Sequence, residues 1–109
     1  MSMNESQKKK TRFRASKIWL TFRHKISVKQ KGLDYITHAK LRKMSNLHHM
    51  DLDEKHYTDL SNEDNFIFCN HNTHCWIHEI YTYYKKDPAV LDRLKEVLDR
   101  MVEINATSR

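Results

Sequence analysis

The chain has 109 residues with one glycine, one proline and two cysteines, and its Lys and Arg outnumber its Asp and Glu by 20 to 14, a net charge of +6. That length suits one domain with a modest core, and so little glycine excludes collagen-like and turn-rich barrel folds. Two cysteines exclude a disulfide framework, the basic N-terminus has no secretory apolar core, and no apolar run nears the ~20 residues of a membrane span, so an intracellular, reducing setting with no membrane is expected.

The positive charge favours polyanionic partners such as DNA, although composition equally fits a soluble domain with a basic tail. Residues 1–15 read as a mobile basic arm, with Lys8, Lys9, Lys10, Arg12 and Arg14 around one aromatic, Phe13. A run of like charge with so little apolar content does not recover its ordering entropy. It is either a solubility tail or an arm along a phosphate backbone, where each contact releases counterions.

Residues 16–109 are expected to form a single domain. Ser16 is a plausible N-cap for a helix over 16–30, with Ile18, Trp19, Phe22 and Ile26 on its apolar face and Arg23 as a weaker DNA-contact candidate. Gly32 stops that helix. Residues 33–41 resemble a short strand and turn, and Lys40, Arg42 and Lys43 add a basic cluster before a strand over 46–50. Residues 51–63 form a polar excursion, pinned by Tyr57 and Leu60. A second strand over 66–69 and a helix over 73–84 follow, the latter carrying Trp76, Ile77, Ile80, Tyr81 and Tyr84. Asp87-Pro88 is an N-cap followed by a first-turn proline. The last helix, to about 104, bears an apolar stripe of Val90, Leu91, Leu94, Val97, Leu98, Met101 and Ile104. That stripe suits either the domain core or a dimer or partner interface, so the oligomeric state stays open.

Six of the eight histidines fall between residues 48 and 78. Histidine is the commonest metal ligand and proton-transfer group near neutral pH. His48 and His49 are neighbours on a predicted strand, so their side chains point to opposite faces. His74 and His78 are four apart on a predicted helix, so their Cβ atoms lie about 5–6 Å apart on one face.

The doubled histidine, the asparagine before F-I-F and the H-x-x-x-H helix together resemble the HNH (ββα-metal) endonucleases. The likeness is closest to small phage HNH proteins and colicin-type HNH nuclease domains, and it covers residues 17–84. W-L-T-F-R likewise resembles the W-x-x-F-R that opens small phage HNH proteins. The resemblance implies an α+β fold, a ββα-metal motif here flanked by an N-terminal helix and a long C-terminal helix. It implies a metal-dependent endonuclease hydrolysing phosphodiester bonds of DNA. His48, His74 and His78 would be ligands of one divalent ion, His49 the general base and Asn65 the residue orienting it. Three histidines favour Zn or Ni, with Mg or Mn as ions that support turnover. Lys8, Lys9, Lys10, Arg12, Arg23, Lys40, Arg42 and Lys43 would contact the nucleic acid.

The chain departs from the family where many members carry a C-x-x-C zinc knuckle: Asp34 to His38 reads D-Y-I-T-H, so packing rather than metal is expected to hold that hairpin. Other readings stand beside these. Asn62, Asn70 and Asn72 compete with Asn65. Cys69, His71, His74 and Cys75 offer a C-x-H-x-x-H-C zinc site. Asp51 and Glu79 are either second carboxylates behind a ligand or surface charges, and His56 fits no role. An HNH-like or zinc-stapled module that binds nucleic acid or protein without cutting is the competing class.

Overall fold

Periodicity fixes the main elements. In the computed structural model, which describes residues 3–107, the fold is α+β: among the described residues there are four α-helices and one two-stranded antiparallel sheet. The helices are α1 (Glu5–Arg14), α2 (Lys17–Lys29), α3 (His71–Tyr84) and α4 (Val90–Thr107); the strands are β1 (Ser45–His49) and β2 (Phe66–Asn70). Residues 1–2 of the expected arm and 108–109 of the expected domain lie outside the described residues. The chain groups into two compact units, Met1–His74 and Cys75–Arg109, divided within helix α3. No helix among the described residues is long and apolar enough to cross a membrane.

The N-terminal segment differs from the mobile arm that its charge suggests. Asn4 and Gln7 form a reciprocal capping box, with Gln7 N donating to Asn4 Oδ1 at 2.8 Å and Asn4 N to Gln7 Oε1 at 3.0 Å. Glu5 in the first turn and Arg12 and Arg14 in the last complement the helix dipole. Phe13 then gives α1 a tertiary anchor, its ring 5.3 Å from Trp19 and 6.1 Å from Tyr57. Local capping and one aromatic supply what the hydropathy of the run does not.

In the first unit, Ser16 caps α2 by accepting from Trp19 N at 3.2 Å. Trp19, Phe22 and Ile26 share one helical face and are buried against Leu47, Phe66 and Phe68. The register pairs Leu47 with Phe68, His48 with Ile67 and His49 with Phe66. Because side chains alternate across a sheet, Leu47, His49, Phe66 and Phe68 lie on the α2 face, and His48, Ile67 and Cys69 on the other. Leu60 packs against this core from the 51–63 excursion.

The expected strand over 33–41 is reduced to a single bridge, Leu33 with Lys40. A buried carboxylate organises the turn instead. Asp34 is fully buried and accepts from Ile36 N at 2.8 Å, Thr37 N at 2.9 Å and Asn70 N at 2.8 Å. Gln30 covers the outer edge of β2: its Oε1 accepts from Phe68 N at 2.7 Å and its Nε2 donates to Phe68 O at 2.9 Å. A side-chain amide thus replaces a missing third strand, which satisfies edge groups that burial would otherwise leave costly.

In the second unit, α4 starts at Val90, three residues past the expected N-cap. Asp87 is held by Ala89 N at 3.2 Å and by Arg93 Nη2. Leu91, Val97, Leu98, Met101, Val102 and Ile104 are exposed, while Val90 and Leu94 are half-buried.

Candidate metal centre

β1 and α3 bring three histidines together. His48 is buried on the β1 face opposite α2, and its ring centroid lies 5.2 Å from that of half-buried His74. His78, one turn further along α3, is exposed. One ring nitrogen from each of His48, His74 and His78 lies within 4.8 Å of the others. Nitrogens bound to one ion at about 2.0–2.1 Å stand about 3–4 Å apart, so this set would have to draw closer to share an ion. A neutral, all-imidazole donor set fits a borderline ion such as Zn²⁺ or Ni²⁺ better than Mg²⁺. Among the described residues this trio is the one group of His, Cys, Asp or Glu with ligand atoms so placed. The C-x-H-x-x-H-C set is not assembled. Cys69 is fully buried, and burial with the nearby Asp34 carboxylate pushes its thiol up to about 11.

His49, the next residue on β1, faces the α2 side. Its imidazole lies between two aromatic rings, nearly parallel to Tyr57 at 4.6 Å and to Trp19 at 5.8 Å, with the Phe66 edge at 4.9 Å. Its Nε2 stands 3.1 Å from the Tyr57 carbonyl oxygen. A carbonyl only accepts, so Nε2 carries the proton and Nδ1 keeps its lone pair for another proton. Burial lowers the His49 pKa below 6.5; the Tyr57 carbonyl opposes this, Lys10 adds to it and Asp51 opposes it. The net effect favours the neutral ring at pH 7, the form a general base requires.

Asn65 makes a backbone contact at the end of the strand pair. It precedes Phe66, the partner of His49, and its carbonyl accepts from Met50 N at 2.7 Å, which closes the strand end just after His49. The competing asparagines have other work: Asn62 caps a short turn through Asp64 N, and Asn70 braces the basic loop through Arg42 N and Lys40 O. Asn72 is exposed. Asp51 binds His56 Nδ1 at 2.7 Å, and that bond, with the acidic residues around it, raises the His56 pKa. His71 Nδ1 donates to Asn46 Oδ1 at 3.2 Å, and Glu79 is exposed.

The expected nucleic-acid contacts divide into exposed and committed groups. Lys9, Arg12, Lys40, Arg42 and Lys43 are exposed, as is Lys8, 3.7 Å from Glu5. Arg42 and Lys43 line a hollow of about 510 Å³ with Asn70 and His71. Arg23 is tied down within the fold, donating to Ser45 O at 2.9 Å with its guanidinium 4.9 Å over the Phe68 ring. Lys10 binds Glu54 Oε1 at 2.6 Å.

The sequence reading missed Asp34, Gln30 and the Tyr57 carbonyl. D-Y-I-T carries the Asx-turn signal that marks Asp34; Gln30 and a main-chain oxygen carry no signal in side-chain patterns. No family model matches the chain, and neither a curated protein nor a solved structure matches it.

Proposed function

We propose that this protein is a metal-dependent endonuclease that hydrolyses phosphodiester bonds of DNA, with His49 as general base and His48, His74 and His78 as the metal ligands. The observation that carries the reading is the convergence of His48, His74 and His78 from β1 and α3; His49 follows His48 on β1 but turns its ring to the α2 face of the sheet, so its part as base rests on the resemblance and on its singly oriented, neutral imidazole. A bound divalent ion would supply charge stabilisation at the scissile phosphate and leaving oxygen. His49 Nδ1 takes the proton of the attacking water, a contribution of roughly 10²–10⁴-fold. Asn65 holds the strand end that carries His49. The exposed Arg42 and Lys43 supply positive charge for flanking phosphates.

The test is nicking of supercoiled plasmid with Zn²⁺, Ni²⁺, Mn²⁺ or Mg²⁺, alongside calorimetric metal titration. His49→Ala should abolish nicking while metal affinity stays within about twofold. His74→Ala should lose both. Metal and DNA binding with no nicking by the wild type would leave the non-catalytic binding module in its place.

A further inference from the structure

We propose that Lys10 is a positioning residue for His49, acting through the loop that carries Tyr57 rather than through the phosphate backbone. The inference rests on the nuclease reading of His49 and adds a role for α1.

Trp19 and Phe66 hold two sides of His49 from the buried core, and Tyr57 holds the third. Tyr57 supplies both the carbonyl on Nε2 and the nearer of the two flanking rings. It belongs to the polar 51–63 excursion, in which Asp53, Glu54 and Lys55 are all exposed. Leu60 packs the far end of the excursion on the core, whereas exposed stretches such as Asp53 to Lys55 open locally at low free-energy cost. α1 holds the excursion at two points. Phe13 meets the Tyr57 ring edge-on at 6.1 Å. Lys10, one turn earlier on α1, places its ammonium 2.6 Å from Glu54 Oε1 and 4.8 Å over the Tyr57 ring. Glu54 and Tyr57 are themselves joined in one turn by a Tyr57 N to Glu54 O hydrogen bond of 3.3 Å. A single cation therefore ties both ends of the turn whose last residue orients the base.

An exposed ion pair alone contributes little. This pair differs because the same ammonium also sits on an aromatic face, and because the Lys10 side chain is 28% exposed against 46% for Lys8. A phosphate contact by Lys10 would require its departure from Glu54, so the phosphate-arm and positioning roles compete for one group.

Steady-state nicking by wild type, Lys10→Met, Lys10→Arg and Glu54→Gln separates them. Positional errors remote from the chemistry lower rates by up to about 10²-fold. Lys10→Met should lower kcat about 10-fold with KM within about twofold. Lys10→Arg, which keeps the charge, the ion pair and the ring contact, should restore most of it. Glu54→Gln should lower kcat in the same direction although it removes a negative charge. A rise in KM with unchanged kcat for Lys10→Met, or faster cutting by Glu54→Gln, would overturn the proposal in favour of a phosphate contact. The ring nitrogen shifts of His49 give an answer that does not depend on activity. The wild type should show one Nε2-protonated tautomer and Lys10→Met a mixture. An unchanged tautomer overturns the proposal even if the protein nicks. A wild type that fails to nick removes the nuclease reading, while the tautomer result still decides whether Lys10 positions His49.

Discussion

The two units use similar helical patterns for different ends. In Met1–His74, Lys and Arg outnumber Asp and Glu by fourteen to eight; in Cys75–Arg109 the counts are six and six, so the first unit carries the whole net charge of +6. Every buried residue among the described ones also lies in the first unit. α2 and α4 both present apolar residues at helical spacing, yet Trp19, Phe22 and Ile26 are buried and Val97, Leu98 and Met101 are exposed. Periodicity reports that a helix has an apolar face; it does not report what that face meets. For α2 the answer is the β1–β2 sheet, whose register places Leu47, Phe66 and Phe68 opposite it.

The largest test of this contrast is truncation of one apolar residue in each unit. Phe22→Ala should destabilise the first unit by about 3–5 kcal/mol, the usual cost of emptying a core aromatic site. Leu98→Ala, at an exposed site, should change stability by no more than about 0.5 kcal/mol. Chemical denaturation with Trp19 as the fluorescent reporter reads the first effect. A comparable loss for Leu98→Ala would mean that the α4 stripe is covered in solution, as a second copy would cover it.

Metal comes next. A ligand that binds only the folded form at 100 times its Kd stabilises by about 2.7 kcal/mol. Zn²⁺ should raise the melting temperature of the wild type, and His48→Ala should remove most of that rise. Melting that is indifferent to Zn²⁺ and Ni²⁺ would remove the metal centre, whatever the geometry of the three imidazoles.

Asp34 gives a pH-dependent effect. Burial raises its pKa, but the amides of Thr37 and Asn70, the Thr73 side chain and the Ile36 amide together outweigh this and leave it below 3.8. A carboxyl depressed in the folded state adds stability above its unfolded pKa, and that stability is lost as pH falls through the folded value. Asp34→Asn should cost about 1–3 kcal/mol at pH 7, because an amide donor then faces backbone donors. The gap to wild type should narrow as pH drops below about 4. A gap that is constant from pH 7 to pH 3 would show that shape rather than ionisation makes Asp34 matter.

Much of the fold was legible because its signals are local. Ser16 before an amphipathic run marks the start of α2, and F-I-F marks β2. Spacing put His74 and His78 on one helical face; that His48 rather than His49 joins them was implied only by the resemblance. Other features depend on partners distant in sequence. Gln30 is 38 residues from the Phe68 edge that it pairs with. The Tyr57 carbonyl is a main-chain group, which side-chain patterns do not distinguish. The helical form of α1 was not legible because composition weighs charge against hydropathy and overlooks a capping box and the single ring of Phe13. The resemblance supplied roles for His48, His49, Asn65, His74 and His78, and no matching protein tests them, so experiment must.

The smallest expected effect separates the units by charge. Binding to DNA loses affinity with salt in proportion to the phosphates that are neutralised, with a slope of about −0.9 per phosphate for duplex DNA. Arg42 lies in the unit that carries the net charge and lines the hollow at the start of α3. Arg100 lies in the balanced unit, with Asp92, Asp99 and Glu96 on the same helix. Arg42→Ala should reduce the salt slope by about one unit and weaken binding to unrelated duplexes alike, because a phosphate contact carries no sequence information. Arg100→Ala should leave the slope unchanged. Fluorescence anisotropy with a short labelled duplex, from 50 to 200 mM salt, measures both. Equal slope changes would mean that the balanced unit also lies on the nucleic acid, and no change in either would remove DNA as the partner of the basic loop.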